Sequence, residues 1–263
     1  NPSILMEILG YVGALFIGLV LGLTGGGGSI LTVPILVYLM SINPVTATAY
    51  SLFIVGTTST FGAIQNYRKN LVDIKNGFIF AIPSFIAVYL TRKFIVPRIP
   101  EIIIESPILI TKNTFLMLFF AVIMIFGALS VLKKKSQDNN NEEKRNLILI
   151  GIQTFTIGII IGLVGAGGGF LIIPSLILFT KLPMRKAVGT SLFIIAMNSL
   201  VGFIGDVQNL EIDWVFLLTF SAISVVGIFI GMYLTKYTNE SQLKKIFAYF
   251  VLVMAAIILL KEM

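Results

Sequence analysis

Apolar stretches run almost end to end along this chain, separated by short polar clusters. A helix that crosses a bilayer needs about 20 apolar residues. Such segments fall at 4–23, 47–65, 75–96, 113–132, 147–164, 186–204, 213–234 and 243–261. The first resembles the apolar core of a signal peptide but has no basic region before it and no cleavage site after it, and reads as a membrane helix. Two shorter pieces, 30–42 and 170–182, each follow a glycine-rich break. Each makes about 20 Å of helix, too short to cross alone but sufficient if the break lies below the membrane surface. Together the pattern predicts an all-α polytopic membrane protein of ten segments, five per half.

The halves repeat. Residues 22–31, Gly-Leu-Thr-Gly-Gly-Gly-Gly-Ser-Ile-Leu, recur 140 positions later as Gly-Leu-Val-Gly-Ala-Gly-Gly-Gly-Phe-Leu at 162–171. The match runs without a gap from Gly18/Gly158 to Asp73/Asp213. Roughly a third of these positions are identical, the level of a true internal repeat. They include Pro34/Pro174, Ser51/Ser191, Ser59/Ser199 and Gly62/Gly202. The first half carries extra residues within Pro97–Thr111, with Glu101 and Glu105 among apolar neighbours, expected on the outer surface. The expected organisation is a first repeat at 1–132, a polar linker at 133–146 and a second repeat at 147–263.

Composition supports the membrane reading. Of 263 residues, 57 % are hydrophobic and 12 % charged, against about half and a quarter in soluble domains. There is no Cys and no His. Disulfides, thiolate metal sites and imidazole proton shuttles are therefore excluded. The net charge of +7 reflects basic cytoplasmic loops rather than a nucleic-acid partner. No cofactor and no metal are expected.

Charge also sets orientation. The linker carries five basic residues and belongs in the cytoplasm. Five crossings per half then put both termini outside. Loops 65–76, 181–186 and 235–246 are basic and fall inside; 205–213, with Asp206, Glu211 and Asp213, falls outside. Loop 92–112 disagrees, since it holds Arg92, Lys93, Arg98 and Lys112 yet falls outside. Loops 65–76 and 205–213 are equivalent in the repeat and opposite in charge, which predicts an inverted five-plus-five repeat.

The glycine breaks are the first candidate site. Lipid cannot satisfy free backbone groups, so a break at membrane depth belongs beside protein or a water-filled cavity. Paired breaks at matching positions point to a transporter's binding site. Gly25, Gly26, Gly27 and Gly28 lead into a helix with Ser29 as its expected N-cap; Gly165, Gly167, Gly168 and Gly169 lead into the second. Helix-start N–H groups can hold an anion without a formal cation. The competing reading is close helix packing by small residues.

The helices after the short pieces carry polar stripes. Ser51, Thr58 and Gln65 share one face, and Ser191, Asn198 and Gly205 are their counterparts. With Thr190, these hydroxyls and amides could donate to an oxyanion. Singly, each could also bond between helices or back to its own helix. No segment shows a charge at its middle, which argues against a buried carboxylate relay. Arg68, Lys69, Arg185, Lys186 and Asp206 sit at segment ends, where charges set topology or snorkel. Phe119, Phe120, Phe216 and Phe220 are expected to pack or face lipid. No catalytic motif is present, and an enzyme is not expected.

The doubled Gly-Leu-x-Gly-x-Gly-Gly pattern, each followed by Pro34 or Pro174, with Ala187-Val188-Gly189-Thr190-Ser191-Leu192, resembles the sulfite exporter TauE/SafE family, also called the 4-toluene sulfonate uptake permease family. The resemblance covers nearly the whole chain. It implies transport of sulfite, sulfonates or related sulfur anions across the plasma membrane by alternating access. Tyr50 stands where the second half has Thr190, and Ser29 where it has Gly169, which predicts an asymmetric site. The expected partners are a small anion and the lipid bilayer. A coupling ion (proton or sodium) and the oligomeric state stay open. The alternatives are a transporter or channel for another small anion, and a membrane scaffold whose glycines only pack helices.

Overall fold

A computed structural model describes residues 2–104, 110–132, 147–180, 182–237 and 240–262. The linker expected at 133–146 lies outside these residues, as does Glu105. Helices form at each of the ten expected segments. They are α1 (Pro2–Thr24), α2 (Ser29–Pro34, continued by a π turn at Ile35–Leu39), α3 (Pro44–Arg68), α4 (Ile74–Leu90, continued by a π turn at Thr91–Ile95) and α5 (Lys112–Leu132) in the first half. The second half has α6 (Leu147–Val164), α7 (Gly169–Thr180), α8 (Met184–Asp206), α9 (Trp214–Leu234) and α10 (Glu240–Glu262).

Among the described residues, five helical stretches are long and apolar enough to cross a membrane: Met6–Thr24, Ile74–Arg98, Lys112–Leu129, Met184–Asp206 and Trp214–Leu234. Ser29–Leu39 and Ile148–Val164 are apolar but shorter. Helix α3 has the length, 25 residues, but its Thr, Ser, Gln and Asn side chains lower its hydropathy. Large apolar side chains such as Phe126, Val215 and Leu260 are exposed on the helices. Apolar exposure on this scale is an interaction surface, and here it suits lipid. The protein is a multi-pass membrane protein.

Local chemistry explains several boundaries. Asn43 caps α3 by accepting from Val45 N–H at 2.9 Å, and Pro44 occupies the first helical turn, where its missing donor costs nothing. Asp73 caps α4 by accepting from Asn76 N–H, and Asp213, its repeat counterpart, caps α9 by accepting from Phe216 N–H, both at 3.0 Å. The extra residues before α5 hold two short antiparallel strands, β1 (Ile102–Ile104) and β2 (Ile110–Thr111), with Ile102 opposite Thr111. Their run of β-branched residues between Pro100 and Lys112 accounts for this departure from an all-helical chain.

The halves pack by exchange. Gly18 and Gly22 of α1 lie against Ser224, Ile228 and Met232 of α9; Gly158 and Gly162 of α6 lie against Ser84, Val88 and Thr91 of α4. Each contact has its counterpart 140 positions away. Phenol and hydroxyl contacts repeat the pattern. Tyr50 of α3 accepts from the N–H of Asp213 at 2.7 Å, and Thr190 of α8 accepts from the N–H of Asp73 at 2.9 Å. Helices α3 and α8 form the centre, with Leu52 and Leu192 fully buried.

Candidate functional site

Each glycine break begins where a helix ends. The N–H groups of Gly25 and Gly165 close the last turns of α1 and α6, donating to Leu21 and Ile161 carbonyls at 2.8 Å. Both then turn left-handed, at φ +75° and +71°, a conformation that glycine reaches without steric cost. The copies differ beyond that point. Gly167 and Gly168 are also left-handed, whereas Gly28 has a right-handed φ of −64°. In the first break Thr24 donates to Val20 O and accepts from Gly27 N–H at 2.9 Å. Val164 stands in the equivalent place and has no polar atom to offer.

Gly28, rather than Ser29, is the N-cap of α2, and no side chain caps it. The Ser29 hydroxyl turns back and donates to Gly26 O at 2.7 Å, which the tight turn brings within reach. The N–H groups of Ser29, Ile30 and Leu31 point to the carbonyls of Gly26, Gly27 and Gly28 at 3.3, 3.3 and 3.1 Å. In the second break, Leu171 and Ile172 both donate to Gly168 O, at 2.9 and 3.0 Å.

The two breaks meet. A Cβ on Gly26 would stand 2.7 Å from the Cα of Gly169. Gly25 faces Val188 of α8, and Gly165 faces Thr48 of α3, again counterparts in the repeat. Gly167 looks onto Val55 and onto the Ser199 hydroxyl, 3.0 Å from where a Cβ would sit; Gly168 is covered by Ile161. All the glycines named as candidates, and Ser29, are buried.

The polar stripes contribute unequally. Ser191 donates to Gly25 O at 2.7 Å and ties α8 to the first break. Its counterpart Ser51 has no partner within the protein. Thr190 caps the turn before α4, so its hydroxyl is already engaged. Asn198 accepts from Ser84 of α4 at 2.8 Å, while its amide nitrogen has no protein partner. Thr58, Ser59 and Ser199 are fully buried with unpaired hydroxyls. Thr58 pairs with Asn198 in the repeat, and Ser59 with Ser199. Buried polar groups normally find partners, and an unmet one costs about 1–3 kcal/mol. Of these atoms, the Ser199 hydroxyl lies beside Gly167 of the second break.

Charge inside the protein is the feature that sequence reading missed. The π turn at Thr91–Ile95 carries α4 onward, so Arg92 lies within the helical stretch rather than in a loop. Its side chain is 0 % exposed, and its Nε donates to Asp206 Oδ2 at 2.6 Å. Nη1 and Nη2 donate to Thr48 Oγ1 at 3.1 and 3.2 Å, and Nη1 also reaches Gly162 O at 3.3 Å. Asp206 is therefore a buried counter-ion, not a snorkelling terminal charge. Arg68 and Arg185 are exposed. Among the described residues no group of three or more His, Cys, Asp or Glu is placed to hold a metal.

Comparison with known proteins fits this architecture. A protein of Xylella fastidiosa (strain 9a5c) described as a "Probable membrane transporter protein" is 26 % identical over 91 % of this chain and 89 % of its own length. Two Bacillus subtilis proteins carry the same description: YunE, 26 % identical over 82 % of each chain, and YdhB, 28 % identical over 85 % of this chain and 86 % of its own. No solved structure is significantly similar. Residues 11–258 match the sulfite exporter TauE/SafE family. The chain belongs to that family of membrane transporters.

Proposed function

We propose that this protein is a secondary transporter of small sulfur-containing anions, sulfite or organosulfonates, working by alternating access in the plasma membrane. The observation that carries the reading is the backbone contact between Gly26 and Gly169, with the unpaired Ser199 hydroxyl beside Gly167 and further unpaired polar atoms on α3 and α8. Here two discontinuous helices meet inside a membrane protein, the arrangement that secondary transporters use for substrate sites. The site comprises Gly25, Gly26, Gly27, Gly28, Ser29, Ser51 and Thr58 from the first repeat, with Gly165, Gly167, Gly168, Gly169, Thr190, Ser191 and Asn198 from the second. Ser191 and Thr190 act by holding the backbone, while Ser51, Thr58 and Asn198 have polar atoms left for the solute. The reciprocal contacts fit an inverted five-plus-five repeat, and the basic residues of the linker at 133–146 favour placing it in the cytoplasm, with both termini outside. Alternation then amounts to the exchange of one half's packing for the equivalent packing of the other.

Flux through proteoliposomes containing the purified chain tests this reading. A carrier gives saturable uptake of sulfite or a sulfonate and accelerated exchange when the same anion is trapped inside. A channel gives large currents without saturation. A scaffold moves nothing.

A further inference from the structure

The Arg92–Asp206 pair joins the two halves at one end of the molecule. Arg92 and Thr48 come from the first repeat; Asp206 and Gly162 come from the second. Among the described residues the other end has no such pair. There the counterpart of Arg92 is Met232 and that of Asp206 is Asn66, whose amide donates to Gly62 O of its own helix. Met232 and Asn66 are both buried, so a neutral pair of residues fills the equivalent positions. Burying an ion pair costs desolvation that apolar packing avoids, so stability alone does not call for a charged pair here.

The pair's geometry is that of a held anion. Asp206 occupies only the Nε of Arg92, while both Nη groups donate to the neutral oxygens of Thr48 and Gly162. A guanidinium matches an oxyanion better through two parallel bonds than through one. Its position also matters. Thr48 touches Gly165, the first residue of the second glycine break, and Gly162 belongs to the helix turn just before it. The guanidinium thus stands one side chain away from the break that leads to Gly169 and Gly26. A π turn, a device often found at functional sites, sets Arg92 in this register.

We propose that Arg92 is a buried anion-binding residue beside the second glycine break, with Asp206 as its resident ligand. An entering monoanionic oxyanion takes over the guanidinium, charge for charge. Asp206 is released, and the link between the halves at this end opens. This rests on the transport reading above and adds to it the cation that receives the substrate.

The test is equilibrium binding of methanesulfonate to the purified full chain and two variants. Asp206→Asn removes the competing carboxylate and keeps its shape, so binding tightens by about tenfold. The double variant Arg92→Met with Asp206→Asn carries the residues of the opposite end, and its binding weakens by about tenfold relative to wild type. A merely structural pair would lose stability in Asp206→Asn with an unchanged dissociation constant, and that result overturns the inference. So does wild-type affinity in the double variant. Should the double variant not fold, the Asp206→Asn constant alone decides. A wild-type chain that binds the anion while the variants bind it equally well defeats this inference only; one that neither binds nor moves any sulfur anion defeats the transport reading as well.

Discussion

Gly26 and Gly169 touch backbone to backbone, although they lie in different halves of the chain. Neither position has room for a side chain. Gly26→Ala and Gly169→Ala are each expected to destabilise the protein by about 1–3 kcal/mol through overpacking. Sulfonate flux should fall with them. Gly151→Ala in α6 is the control, because nothing lies within 4 Å of a Cβ there. It should be neutral or slightly stabilising, since alanine is the better helix former. Thermal unfolding in detergent and flux in proteoliposomes measure all three.

The equivalent serines should separate structure from binding. Ser191 holds Gly25 O, so Ser191→Ala is expected to cost about 1 kcal/mol of stability. Ser51 has no protein partner to lose. Ser51→Ala should leave the unfolding temperature unchanged and weaken anion binding by about tenfold. Equal destabilisation by both substitutions would make Ser51 a structural residue.

Tyr50 and Thr190 provide matched links at the two ends. Tyr50→Phe leaves the Asp213 N–H without its acceptor, and Thr190→Val does the same to Asp73. Each is expected to cost about 1–3 kcal/mol, read as a lowered unfolding temperature.

Much of this was legible in the sequence because the repeat carries its own alignment. The glycine breaks and the paired serines follow from residues 140 positions apart, and the ten helical segments from the run of apolar stretches. The Arg92–Asp206 pair was not legible for the same reason. Its counterparts, Met232 and Asn66, carry no matching charge, so comparing the halves hides it. Arg92 also sits beside Lys93 at the end of an apolar segment, where charges usually mark a loop; only the π turn draws it inward. Ser29 misled in a different way. Its residue type suits an N-cap, but the preceding glycines fold the chain so tightly that its hydroxyl meets Gly26 O first. The short strands Ile102–Ile104 and Ile110–Thr111 escaped notice because an isoleucine run reads equally well as helix or strand.

The inverted topology is open to direct labelling, since the native chain contains no Cys. Lys69 and Gln208 lie in equivalent turns and are both exposed. Lys69→Cys and Gln208→Cys should react with a membrane-impermeant thiol reagent from opposite sides of the membrane. Labelling of both from one side would contradict the inverted repeat.

Substrate charge is the most direct measure of the central claim. The unpaired polar groups of the proposed site are uncharged, and the charge of Arg92 is already balanced by Asp206. Desolvating a dianion there would be costly, whereas a monoanion can be held and released. Sulfite loses its second proton near neutral pH, so its transported form, bisulfite, becomes scarce as pH rises. The decisive measurement is proteoliposome flux of sulfite and of a permanently monoanionic sulfonate between about pH 6 and pH 8, with no pH gradient, beside the binding of sulfate. Sulfite flux should fall with rising pH, sulfonate flux should stay level, and sulfate should bind more weakly than either monoanion. Equal pH dependence for both substrates, or tighter binding of sulfate, would contradict a carrier for small sulfur monoanions.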